Sequence, residues 1–253
     1  MMYIEKRVII MNFEERKDKI LQALKKKGKL SFQEIEALVD VAPTTIRRDL
    51  TTLEQNGDLI RFHGGVKLDK GVAEYSMHKK STMHINEKKL IGKTAAELIQ
   101  PNEFIFISSG STTFQMIEYI TDTSISVITN GIPHAEALNK KNIRTFLLCG
   151  FLKEHTRSVA GSETVKLINS YHFDRAFIGA NGIASNLDLL SADNFEHEIK
   201  EAAIHNSKHA YILVDASKFD TTAMYALHLR DYPNANIITE LYNEENAQVI
   251  IAK

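Results

Sequence analysis

Apolar residues recur at helical spacing along the first quarter of the chain, then give way to short apolar runs alternating with helical stretches. In FEERKDKILQALKKKG, Phe13, Ile20, Leu21 and Leu24 fall on one stripe and Gly28 stops the pattern, which predicts a helix. SFQEIEALV opens with Ser31 and Glu34 in capping-box spacing and predicts a second helix from Ser31. Residues 40–42 form a short turn, and Pro43 suits the first position of a third helix, where its missing N–H costs nothing. Projected at about 100° per residue, Ile46, Leu50 and Leu53 share one arc and form the buried side of that helix. Arg48, Thr44, Thr51 and Thr52 point away from it, with Arg47 and Thr45 on the flanks. Gly57 ends the helix; DLIRF reads as a strand, HGG as a tight turn and VKL as the returning strand. Three short helices and a small hairpin make a winged helix-turn-helix over residues 12–70.

Residues 71–87 are polar and weakly patterned, with Tyr75 the main apolar anchor, and read as a linker. From residue 88 to 253 strand and helix patterns alternate. EFIFIS, SISVITN, RTFLLCG, DRAFIGA, HAYILVD and NANIITE read as strands, and LIGKTAAELI, TTFQMIEYI, IPHAEALNK, ETVKLINSY and NFEHEIKEAAIHNS as helices. Such alternation predicts a mostly parallel sheet covered by helices, an α/β domain that binds ligands beyond the carboxyl ends of its strands.

Composition narrows the classes. A chain of 253 residues suits two domains, and 43% hydrophobic with 25% charged residues is the balance of a folded soluble protein. No stretch approaches the roughly 18 consecutive apolar residues of a membrane span. RVIIM is too short for a signal-peptide core, so residues 1–11 read as an extension with Met11 a candidate start. A single Cys149 excludes an intrachain disulfide and fits a reducing cytoplasm; its apolar neighbours predict a buried, inert thiol. His197, His205 and His209 are spaced along one region, yet no HExxH or Cys-His cluster accompanies them, and no metal or cofactor is expected. With a net charge of −1, any nucleic-acid binding must come from a local patch.

The third helix supplies such a patch. A helix fits the DNA major groove with its N-terminal residues near base edges; Arg reads guanine and Thr contacts bases or the thymine methyl. Thr44, Thr45, Arg47 and Arg48 are therefore candidate DNA contacts, with Arg61 and the His63-Gly64-Gly65 turn beside the backbone. In the second domain, SSGSTT follows a strand and opens a helix. Ser109, Gly110, Ser111, Thr112 and Thr113 there form a candidate phosphate or carboxylate cradle. Matching polar turns recur at Thr129-Asn130-Gly131, Cys149-Gly150, Gly179-Ala180-Asn181-Gly182 and Asp215-Ala216-Ser217-Lys218. Glu196 and Lys200 are spaced for a helical ion pair.

ERKDKILQAL, TTIRRDLTTLEQNGDLIRFHGG, TNG, DRAFIGANG and DASKF together resemble the DeoR family of bacterial transcriptional regulators, over nearly the whole chain from Met11. The resemblance implies a sensor domain similar in fold to ribose-5-phosphate isomerase that binds a phosphorylated sugar or related metabolite. It implies that residues 109–113 hold the phosphate and that Asp174, Asn181, Glu196, Lys200, Asp215 and Lys218 line the pocket, with Thr129, Asn130, Gly150 and Gly182 at the neighbouring strand ends. Three positions depart from the family pattern: Ala42 and Ser108 stand where Ser and Asp are common, and Phe151 stands where a second Gly is common. Ala42 removes an N-cap, Ser108 alters effector preference, and Phe151 either narrows the pocket mouth or packs in the core.

The expected function is a repressor of a sugar-metabolism operon, binding operator DNA as a homodimer or higher homo-oligomer under control of a phosphorylated sugar or sugar-derived effector. The competing readings are a sugar-phosphate isomerase with an appended helical domain and a metabolite-binding module without a DNA role. Asp174, Glu196 and Asp215 could supply an isomerase's carboxylates, but no second acidic residue stands beside Asp174.

Overall fold

The computed structural model describes residues 11–55, 58–62, 64–67, 77–242 and 246–253. The expected extension before Met11, the helix stop at Gly57, His63 of the turn and Tyr75 of the linker lie outside the described residues. The chain divides into two compact units, Met1–Lys70 and Gly71–Lys253.

In the first unit, α1 (Phe13–Lys27) begins at Asn12, whose side chain forms a capping box with Glu15, and ends at Gly28 with a φ of 76°. A strand not expected from the sequence, β1 (Lys29–Ser31), follows. Ser31 and Glu34 make the expected capping box for α2 (Phe32–Val39), and α3 runs over Pro43–Gln55. β2 (Ile60–Phe62) and β3 (Gly65–Lys67) form the wing, with β3 between β1 and β2 in an antiparallel sheet. The added strand explains one glycine: a Cβ at Gly65 would sit 2.2 Å from the Leu30 carbonyl oxygen. Ile46, Leu50 and Leu53 are fully buried with Ile20, Leu24 and Ile35, as the helical projection requires.

The second unit opens with α4 (Met77–Thr82), a helix within the stretch read as linker, and α5 (Ile85–Glu97), which starts before residue 88. Next come β4 (Phe104–Ile107), α6 (Ser111–Tyr119), β5 (Ser126–Thr129), α7 (Ile132–Lys140) and β6 (Arg144–Leu147). A two-stranded hairpin follows, β7 (Phe151–Lys153) and β8 (Ser158–Ala160), then α8 (Ser162–Asn169) and β9 (Phe173–Gly179). β10 (Gly182–Ile183) and β11 (Leu189–Ser191) precede α9 (Asn194–His205) and β12 (Ser207–Leu213). β13 (Tyr225–Leu227) joins β11, and β14 (Ala235–Thr239) and β15 (Val249–Ile251) end the chain. Seven strands form one parallel sheet in the order β15-β14-β12-β9-β4-β5-β6, with an apolar cluster on each face. This is the α/β architecture that the alternation predicts, and its parallel register puts the polar loops at one edge.

Candidate functional site

On α3 the arginines leave the core and the next residue enters it. Arg47 and Arg48 are exposed, as is Thr44, and Thr45 is half-buried. Asp49 is buried and accepts from Arg16 of α1, Nε at 2.7 Å and Nη2 at 3.2 Å. That bidentate pair holds the Arg16 pKa above its ordinary value, against the opposing effect of burial, and fixes α3 against α1. The Arg47 guanidinium lies 5.7 Å from the Phe32 ring centre, a cation–π distance that occupies it on the α2 side. Arg61 on β2 is exposed and donates to Thr51 Oγ1 at 3.2 Å. Gly64 is exposed with a φ of 94°, whereas Gly65 is buried beneath β1.

In the second unit a cleft opens at the carboxyl ends of β4, β5, β9 and β12. Of the expected site residues, Ser109, Gly110, Ser111, Thr112, Asn130, Asn181, Glu196, Lys200 and Lys218 line it. Gly110 precedes α6 and offers no side-chain cap, so the first-turn amides of that helix lack protein acceptors within it. Asn130 is a strut under the same loop: its Oδ1 accepts from the Ser109 amide at 2.8 Å and its Nδ2 donates to the Val159 carbonyl at 3.1 Å. His134, buried on α7, places Nε2 3.1 Å from the Gly110 carbonyl oxygen and 3.2 Å from Thr113 Oγ1. Burial pushes its pKa down to about 4, against the backbone contact at Gly110, so the ring is neutral at pH 7.

The opposite wall is cationic. Lys200 is buried and donates to Asn181 Oδ1 at 3.0 Å and Ser191 Oγ at 2.9 Å, with Glu196 Oε2 at 3.5 Å. Burial lowers its pKa, opposed by Glu196. Lys153 from β7 reaches Asp193 Oδ2 at 2.6 Å and Glu196 Oε1 at 3.3 Å. Lys218, in the turn Ala216–Lys218 after β12, makes no ion pair among the described residues. Met77 and Lys80 of α4 complete the cleft. Lys88 holds that helix by donating to the Lys80 and Met83 carbonyls at 2.5 and 2.7 Å, and burial lowers its pKa to about 8.

Six expected residues stand elsewhere. Asp174 is at the amino end of β9, accepting from the Phe104 amide at 2.9 Å and from Lys208 at 2.7 Å, across the sheet from the cleft mouth. The Lys208 hydrogen bond, with that of the amide, lowers its pKa. Thr113 turns its hydroxyl back to the Ser108 and Gly110 carbonyls, and Thr129 accepts from the Gly131 amide. At Gly150 a Cβ would meet Thr164 Oγ1 at 2.3 Å, so its role is packing. Gly182 pairs with Leu190 inside the small sheet. Asp215 caps its own turn through the Ser217 amide at 3.2 Å and does not line the cleft.

Ser108, one of the three departures, lines the cleft but its Oγ accepts from the Gly179 amide at 3.0 Å. Phe151 is 75% exposed and lies outside both the core and the cleft lining, contrary to either expectation. Cys149 is exposed, because the apolar run it ends is the edge strand of the sheet. Sequence reasoning missed Lys80 and Lys153, one in the supposed linker and the other on an unexpected hairpin. Met77 and Lys80 fall at i and i+3 of a short helix, a signal too brief to see.

A profile of the DeoR-like helix-turn-helix domain matches residues 16–72, and one of the DeoR C-terminal sensor domain matches residues 83–240. The chain is 37% identical over 207 residues to the uncharacterized HTH-type transcriptional regulator FruR of Bacillus subtilis, covering 81% of this chain and 82% of that protein. It is 33% identical to a lactose phosphotransferase system repressor of Staphylococcus epidermidis, covering 82% and 84%. A solved ribose 5-phosphate isomerase A from Methanocaldococcus jannaschii overlaps 52% of this chain and 53% of that one, at 19% identity and a TM-score of 0.39. With both domains matched in order and close relatives along four fifths of its length, the chain belongs to the DeoR family of transcriptional regulators.

Proposed function

We propose that this protein represses a sugar-metabolism operon, holding operator DNA through α3 and the wing and releasing or engaging it according to a phosphorylated sugar or sugar-derived metabolite in the cleft. The observation that carries the sensing half is the uncapped N-terminus of α6, opening beside Ser111 and Thr112 onto a wall with Lys80, Lys153, Lys200 and Lys218. Amides and positive charge on both sides select an anion, and the polar groups between them suit sugar hydroxyls. The name of the Staphylococcus relative joins a sugar, phosphate transfer and repression, and we carry that class over to this chain.

For the DNA half, Arg48 is the base reader, since Arg47 rests on Phe32 and is placed for a phosphate or an adjoining base. Thr44 and Thr45 flank it at the helix start. Arg61, His63 and Gly64 serve the backbone, while Gly65 serves the wing's own packing. Symmetric operators call for two copies of α3 and hence a homodimer or a larger even assembly. Of the three carboxylates that could serve an isomerase, Asp174, Glu196 and Asp215, only Glu196 lines the cleft, and it sits between two lysines.

The test is a band-shift titration of DNA upstream of this gene and its neighbours, repeated with a panel of sugar phosphates and with the free sugars. A phosphorylated compound should shift the operator affinity where its free sugar does not, because an effector acts only through differential affinity for two states. Thr112→Ala should blunt that response and leave affinity in its absence intact. Loss of both together would make the α6 loop structural; indifference to every phosphorylated compound would refute the sensing assignment.

A further inference from the structure

α4 is six residues long, and a helix that short does not persist without tertiary support. It nonetheless supplies Met77 and Lys80 to the cleft. Its start is held by the Met77 amide, which donates to the His155 carbonyl, in the turn between β7 and β8, at 2.9 Å. Its end is held from α5, where Lys88 donates to the Lys80 and Met83 carbonyls. Carbonyls at the end of a helix have no partner within it, so an ammonium there is a fitting cap. Lys88 is 3% exposed and does not itself line the cleft.

A buried cation needs a countercharge. Burial lowers the Lys88 pKa to about 8; Asp215 is the first charge to oppose that shift, while Lys218 and Lys80 add to it. Asp215 is buried as well. Its Oδ1 accepts from the Ser217 amide and hydroxyl, and its Oδ2 has no hydrogen-bond partner among the described residues. A dry carboxylate with one bare oxygen is costly unless positive charge lies close. We propose that Lys88 and Asp215 are a buried positioning pair behind the cleft. Lys88 seats α4 so that Lys80 meets the effector's anionic group, and Asp215 does the same for Lys218 through the turn it caps. Neither touches the effector: Asp215, expected in the lining from sequence, acts from behind it. The inference rests on the reading of the cleft as an anion sensor, but its first measurement uses no ligand, so either can fail alone.

Hydrogen exchange of the full chain, read by mass spectrometry over residues 77–84, should quicken by roughly tenfold in Lys88→Met while other sensor peptides keep their protection. Inorganic phosphate is the probe for the second measurement, its binding followed by broadening of its phosphorus resonance. Lys88→Met and Asp215→Asn should each weaken phosphate binding by roughly tenfold, as for loss of one charge-assisted contact. Placed on top of Lys80→Ala, Lys88→Met should cost much less than it does alone, because it acts through the same group. Lys88→Arg, which keeps the charge and the donors, should recover binding. Wild-type exchange and wild-type phosphate affinity in Lys88→Met would overturn the proposal. Losses that simply add to that of Lys80→Ala would also overturn it, by making Lys88 a structural residue only. If Lys88→Met unfolds the sensor unit, Asp215→Asn decides: unchanged phosphate binding in that variant overturns the pair. A wild type indifferent to phosphate, with residues 77–84 still loosened in Lys88→Met, would refute the anion-sensing reading and uphold the seating of α4.

Discussion

In the helix-turn-helix unit the proposed contact residues stand on one helix and its neighbouring strand, projecting out of a small core. In the sensor unit the lysines of the cleft arrive from α4, β7, α9 and the turn after β12 and project inward. The first arrangement needs one helix held at one rotation. The second needs four elements brought to one sheet edge, and it places like charges close enough that Glu196 must stand between Lys153 and Lys200. A local register therefore defines the reading head, while tertiary convergence defines the sensor, and single substitutions should expose that difference.

The largest effect belongs to the buried end of the reading head. Asp49→Ala strands the Arg16 charge inside the core, and breaking a buried pair in this way costs about 3–5 kcal/mol. For a unit this small the loss approaches its whole stability, so DNA binding should disappear with it. Thermal or urea unfolding should show the first unit melting early and the sensor unit unchanged. Arg48→Ala, one residue away on the exposed side, should do the opposite: stability unchanged, with about 1–3 kcal/mol of operator affinity lost and base preference relaxed at one position. Selection of preferred sequences from a randomised operator reads that directly.

That contrast also marks what could be read without coordinates. Helix boundaries in the first unit follow from caps written locally, Ser31 with Glu34 and Pro43 at the start of α3, and the projection of Ile46, Leu50 and Leu53 finds the buried side. Asp49 was equally accessible to the projection, but its partner lies 33 residues earlier and no periodicity announces a pair at that distance. In the sensor unit, the turns at strand ends were legible because a parallel sheet sends all carboxyl ends one way. Asp174 shows the same rule neglected: it begins its strand, so it belongs to the opposite end. Cys149 and Phe146 could not be placed, since apolar runs reveal a strand but not whether it is central or at the edge. Lys153 and Lys80 were hidden by the brevity of the elements that carry them.

Protonation separates the units a second way. His134 titrates ordinarily near 6.5 when unfolded and near 4 when buried, so its folded pKa is depressed. The stability it contributes is present above pH 6.5 and is lost as pH falls toward 4, because the unfolded chain takes up a proton that the folded one refuses. By pH 5 the loss is about 2 kcal/mol. Urea unfolding of the sensor unit at pH 7 and pH 5 should show it in the wild type, and His134→Gln should remove that component while leaving the carboxylate contribution. An identical pH dependence in the two would mean that the ring already exchanges protons in the folded state.

The smallest effect distinguishes reading from holding within the first unit. Arg61 is exposed on β2, tied to Thr51 of α3 at 3.2 Å, and its amide donates to Glu54 Oε1 at 3.3 Å. A guanidinium anchored this way on the wing is set to meet a phosphate, which carries no sequence information. Arg61→Ala should therefore weaken binding about equally for operator and unrelated DNA. It should also flatten the slope of log affinity against log salt by about one, as one fewer counterion is released. Arg48→Ala should change preference more than slope. If Arg61→Ala instead alters which bases are preferred and leaves the slope intact, the wing reads sequence, and the assignment of base recognition to α3 alone is wrong.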